Sequence, residues 1–91
     1  MKPVRFNEEK NKWLINNRKV SFLEIVKVIE NNKILRFIDH PNKKKYPNQR
    51  MFIVEINHYV YLVPFVEEGE RIFMKTIIPS RKGTKKYLVK L

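Results

Sequence analysis

The stretch RMFIVEINHYVYLVPFVEEGERIFMKTII, from Arg50 to Ile78, decides the fold. Apolar, β-branched and aromatic residues recur in it with period 2, and its two polar breaks, Asn57-His58 and Glu67–Glu70 with Gly69, are each short enough to be a hairpin turn. Three strands in an antiparallel meander follow: Arg50–Ile56, Tyr59–Val66 and Arg71–Ile78. Working outward, Ile34–Asp39 reads as a fourth strand, and the polar, proline-bracketed linker His40–Gln49 reads as an exposed loop. Before it the period is 3.6. Ser21 and Glu24 form a Ser-x-x-Glu capping box, after which Phe22, Ile25, Val26 and Ile29 occupy one helical face as far as Asn31-Asn32. An earlier short helix is capped by Asn7, carries Glu8 and Glu9 in its first turn, and ends at the Asn16–Lys19 turn. From Pro79 the chain leaves the sheet as a basic tail in which Tyr87 and Leu88 can dock a short final turn. The expectation is one α+β domain over residues 1–91. Two N-terminal helices pack on one face of a small, mainly antiparallel four-stranded sheet, the other face is open, and a short basic C-terminal segment follows.

Composition narrows the chemistry by exclusion. The chain has no cysteine, so disulfides, thiolate nucleophiles and cysteine-held zinc are ruled out. Two glycines, Gly69 and Gly83, cannot build a dinucleotide-binding turn, a P-loop or a nucleophile elbow, so no cofactor is expected. Two histidines and one aspartate leave almost no material for a metal site or a Ser-His-Asp triad. The longest wholly apolar run, Tyr59–Val66, is eight residues, far short of the ~20 that a spanning helix needs, and no signal-peptide pattern opens the chain. A cytoplasmic protein without a membrane partner is expected.

The charge pattern points to a polyanion. Twenty lysines and arginines against nine carboxylates give +11, and nine of those excess charges lie within residues 40–50 and 79–91. Localised positive charge of this kind binds phosphate backbones by releasing condensed counterions. Lys43, Lys44 and Lys45 form one cluster, with Arg50 at the start of the next strand. Lys82, Lys85 and Lys86 form the other, beside Arg81, whose planar fork of donors suits a phosphate. In the strands, Tyr59, Tyr61, Val63 and Phe65 alternate with Val60, Leu62, Pro64 and Val66, while Ile72, Met74, Thr76 and Ile78 alternate with Arg71, Phe73, Lys75 and Ile77. If Tyr61 shares a face with Lys75, that face mixes aromatic plates with cations, as surfaces that stack unpaired bases do. Ordinary cross-strand aromatic packing explains the tyrosines equally well. Asp39 beside His40 could fix an imidazole tautomer for proton transfer, although Asp-His-Pro-Asn is also plain turn chemistry.

The ordered set Phe6-Asn7, Lys10-Asn11, Arg18-x-Val20-Ser21-Phe22-x-Glu24, Asp39-His40, Gln49-Arg50 and Ile77-Ile78-Pro79-Ser80-Arg81-Lys82-Gly83-Thr84 resembles the BrnT family of toxins from bacterial toxin–antitoxin pairs. The resemblance implies a ribonuclease of RelE-like fold, neutralised by a DNA-binding antitoxin encoded alongside it. Arg81 matches the arginine of the family's terminal motif, and Glu67 falls near a glutamate at the end of the preceding strand. Thr76 stands where the family has a strand arginine, with Lys75 one residue away. The resulting expectation is a metal-independent endoribonuclease in which a ribose 2′-hydroxyl attacks the adjacent phosphate. Arg81 and Lys75 hold that phosphate, Glu67 or His40 moves a proton, and Lys43, Lys44, Lys45, Arg50, Tyr61, Lys82, Lys85 and Lys86 contact RNA. The alternative is a non-catalytic RNA- or DNA-binding module, or an inactive toxin relative, with the same surface. RNA and the antitoxin are the expected partners, with a homodimer or a hetero-oligomer with the antitoxin left open.

Overall fold

A computed structural model describes residues 2–88; the last three residues of the basic segment, 89–91, lie outside it. The elements run β1 (Val4–Arg5), α1 (Glu8–Arg18), α2 (Phe22–Glu30), β2 (Arg36–Asp39), β3 (Gln49–Ile56), β4 (Tyr59–Glu68), β5 (Arg71–Met74), β6 (Ile78–Pro79) and α3 (Arg81–Tyr87). Across the described residues the fold is thus α+β, with three helices and a six-stranded mixed sheet where two helices and four strands were expected.

Local chemistry places both N-terminal helices. The Asn7 side chain accepts the Lys10 amide at 2.9 Å and caps α1, which runs on through Asn16 and Asn17 and ends only at left-handed Lys19, φ 59°. Ser21 and Glu24 form the full capping box at the start of α2, and left-handed Asn32 turns the chain beyond its end. Phe22, Ile25 and Ile29 are buried on the face that α2 turns to the sheet.

In the sheet the order is β1-β5-β4-β3-β2; β1 joins β5 in parallel, and β6 pairs with the first half of β4 while β5 pairs with its second half. Asn57 and His58, φ 51° and 63°, make the two-residue turn between β3 and β4, which sets Ile56 opposite Tyr59 and Arg50 opposite Phe65. Gly69, φ 61°, supplies the left-handed position in the next hairpin, where Glu68 faces Arg71.

Strand alternation gives the sheet two faces. The inner face, toward α1 and α2, carries Phe52, Val54, Ile56, Val63, Phe65, Ile72 and Met74, with Leu14, Val20, Phe22 and Ile25 above them. Phe52 and Phe65 stack at 4.2 Å between ring centres. The outer face carries Ile38, Met51, Ile53, Val60 and Leu62 and is partly covered by α3.

The expected strand Arg71–Ile78 is interrupted. Between Met74 and Ile78 the chain steps from β5 to β6, and the extra residue in this crimp sends fully buried Ile77 into the core in place of Ile78. The Arg18 guanidinium holds the crimp by donating to the Ile77 carbonyl at 2.6 Å.

The basic C-terminal segment is a docked helix. The Ser80 hydroxyl accepts the Gly83 amide at 2.9 Å, and the Val60 amide of β4 donates to the Thr84 hydroxyl at 2.9 Å. Glycine is needed at 83 because a Cβ there would stand 2.8 Å from Val60 Cγ1.

Candidate functional site

The helices leave one end of the inner face bare. There Asp39, Gln49, Arg50, Phe65 and Glu67, with Lys43, Pro47 and Asn48 from the loop, line an open recess of about 460 Å³. The register assembles it: Asp39 is the direct cross-strand partner of Arg50, and Glu67 is its diagonal neighbour, two residues beyond Phe65 on β4. Arg50 Nε lies 3.8 Å from Asp39 Oδ1, and Arg50 Nη1 lies 3.9 Å from Glu67 Oε1. On the far side of each carboxylate stands a lysine, with Lys43 Nζ 2.9 Å from Asp39 Oδ2 and Lys2 Nζ 2.6 Å from Glu67 Oε2. The result is a row of alternating charges, Lys43–Asp39–Arg50–Glu67–Lys2.

Both carboxylates are held below their usual range. For Glu67 the largest cause is the hydrogen bond from Lys2, then the charge of Lys2; for Asp39 it is the hydrogen bond from Lys43, then the charge of Lys43, and Arg50 adds to both. Each is therefore ionised at neutral pH, an acceptor ready for a proton but a weak base while its lysine stays in place. Among the described residues no three His, Asp or Glu side chains come together as a metal site would need.

The candidate residues divide among separate places. Glu67, Arg50 and Lys43 meet in the recess. Lys44 and Lys45 are exposed on the loop beside it, with Lys45 Nζ 5.4 Å from the Tyr46 ring centre. His40 is outside the residues lining the recess; its ring rests on Tyr46 at 4.5 Å, and its Nδ1 accepts the Asn42 amide at 3.0 Å, so turn chemistry occupies it.

Tyr61 does not share a face with Lys75. Phe65 pairs with Met74, so the tyrosine set lies on the inner face with Met74, and Lys75 follows Phe73 to the outer one. Tyr61 packs edge-on against Tyr59 at 5.7 Å, and burial, then the nearby Glu24 charge, raises its phenol above the ordinary value.

Lys75 and Arg81 follow one strand edge but different registers. The Lys75 amide donates to the Pro64 carbonyl and the Ser80 amide to that of Val60, four residues apart on β4. At a rise of ~3.3 Å per residue that is about 13 Å. Glu67 lies seven residues from Val60 on that strand, or about 23 Å at the same rise, so the recess and the start of α3 are distinct places. Lys82, Lys85 and Lys86 sit on α3 with Arg81.

Reading the sequence alone overlooked Lys2 and weighed Asp39 only as a partner for His40 or as turn chemistry. The pairing of Arg50 with Glu67 was within reach, since a two-residue turn at Asn57-His58 counts back to Arg50 opposite Phe65.

No protein-family model, curated protein or solved structure matches the chain. No described helix is long and apolar enough to cross a membrane.

Proposed function

We propose that the chain is a metal-independent endoribonuclease, the toxin of a bacterial type II toxin–antitoxin pair, with the recess as its site. What carries this reading is Arg50, a guanidinium standing between two ionised carboxylates in an open recess, on a protein of charge +11. Cleavage of RNA by its own 2′-hydroxyl needs little more than a fixed cation and a proton acceptor. In the proposed step the Glu67 carboxylate takes the 2′-hydroxyl proton, and the 2′-oxygen bonds to the adjacent phosphorus. The bond to the 5′-oxygen then breaks, and that oxygen takes a proton from solvent in the open recess. Arg50 donates to the non-bridging oxygens as their charge grows. An incoming phosphate competes with Glu67 for Lys2, and release from that lysine raises the proton affinity of the carboxylate at the moment it is used. Lys43, Lys44 and Lys45 hold the backbone beside the recess. Glu67 is preferred to His40 as the proton acceptor because the Asn42 amide already occupies His40 Nδ1. Arg50 takes the phosphate-holding role expected from the sequence for Arg81 and Lys75.

A 5′-labelled single-stranded RNA incubated in chelator tests the assignment. Arg50→Gln is expected to slow cleavage ~10²–10³-fold, and Glu67→Gln ~10²–10⁴-fold. A Lys75→Gln, Arg81→Gln double variant should lose less than about tenfold, below the effect of one lost transition-state donor. The reverse ranking would move the chemistry to the outer face.

The lysines clamped on both carboxylates favour a second reading, a binding module that holds RNA without cutting it. A salt-sensitive mobility shift with intact RNA would establish it.

A further inference from the structure

The outer face holds a groove that the recess does not use. It runs between α3 and the edge strand β2, has a volume of about 320 Å³, and is floored by Ile38, Ile53 and Leu62, with Tyr87 on the α3 wall. Arg36 rises from one wall and Lys82 and Lys86 from the other, and among the described residues no carboxylate lines it. From β2 to β4 is two strand spacings, or ~10 Å, the width of one helix laid beside α3.

We infer that this groove is a docking site for an acidic amphipathic helix of a partner protein, whose apolar stripe lies on Ile38 and Leu62 and whose Asp and Glu side chains face Arg36, Lys82 and Lys86. The charge is complementary to such a segment, and the floor decides between it and a nucleic acid. Ile38, Ile53 and Leu62 accept the leucines of an amphipathic helix directly and offer bases no stacking plate, and the one aromatic ring, Tyr87 on the α3 wall, already has Lys86 Nζ 5.5 Å from its centre. The inference is independent of RNA cleavage, because the recess opens on the other face of the sheet.

The test uses the full chain and a fluorescent synthetic peptide of about 18 residues, long enough to be helical alone, with leucines at i, i+4, i+7 and i+11 and glutamates flanking them. Its binding is read by anisotropy without RNA, so failure here leaves the cleavage reading standing, and the converse holds. A Lys82→Glu, Lys86→Glu variant should weaken binding about tenfold, which corresponds to ~1.4 kcal/mol. Lys44→Glu, Lys45→Glu, the same change of net charge away from the groove, should weaken it less than threefold. Leu62→Asn, with unchanged circular dichroism, should also lose about tenfold. Equal losses in the two charge-reversal variants would reduce the effect to overall charge and overturn the proposal. Displacement of the peptide by oligouridine with the same variant sensitivities would make the groove an RNA surface, and no binding up to about 1 mM would remove the site.

Discussion

Asn11→Leu tests how the two N-terminal helices are joined. Asn11 is 6% exposed on α1, and its Oδ1 accepts the amide of Phe22, the first residue of α2, at 2.7 Å. That amide is one of the four at a helix start that no carbonyl of the same helix can satisfy. The Ser21 side chain serves the Glu24 amide, and Phe22 itself has no accessible surface, so water cannot take over from Asn11. Leucine keeps the branched shape at a somewhat larger volume and removes the acceptor. A buried donor left unsatisfied costs ~1–3 kcal/mol, a large part of the ~5–15 kcal/mol by which a domain is stable. For a chain of this length each kcal/mol lowers Tm by ~4–8 °C, so a fall of about 4–24 °C is expected in thermal melts followed by circular dichroism. Amide exchange at Phe22 should accelerate as well. A Tm within about 2 °C of the parent, with the Phe22 amide still protected, would refute the reasoning.

Two further outcomes follow from single interactions. His58→Gly should stabilise the protein by ~0.5–1 kcal/mol in chemical denaturation, because His58 holds a left-handed φ of 63° in a turn that favours Asn-Gly; destabilisation would show that the His58 side chain matters to the turn. Lys2→Gln should move the Glu67 pKa upward in a carboxyl NMR titration, since the Lys2 hydrogen bond is the largest cause of its depression. Because the folded pKa is the lower one, the pair stabilises the fold above the ordinary carboxylate range and loses that effect as pH falls through the folded value. The stability difference between parent and variant should therefore close in acid; a difference that persists at low pH would contradict this.

What could be read from the sequence was whatever is decided over a few neighbouring residues. The capping box at Ser21 and Glu24 and the Asn57-His58 turn are such features, and both form as expected. Helix α1 overran its expected end because Asn17, read as a turn residue, donates its side-chain amide to the Trp13 carbonyl and stays within the helix. Strands β1 and β6 have two residues each, too few to carry a period, and their pairing depends on distant partners. The crimp at Lys75–Ile77 carries no periodic mark for a related reason, since alternation cannot register one inserted residue. For the site, strand alternation separated the tyrosines from Val60 and Leu62 but did not say which set meets the helices. Lys2 reaches Glu67 only because β1 lies parallel on β5, a contact across 65 positions that no local pattern announces.

The most direct measurement is the chemistry of the ends. Single-stranded RNA incubated with the purified chain in chelator, then analysed by mass spectrometry, is predicted to yield fragments with 2′,3′-cyclic phosphate and 5′-hydroxyl termini, and Glu67→Gln is predicted to leave the RNA whole over the same interval. Intact RNA with the parent protein, or fragments bearing 5′-phosphates, would contradict a 2′-hydroxyl attack assisted by Glu67 and Arg50.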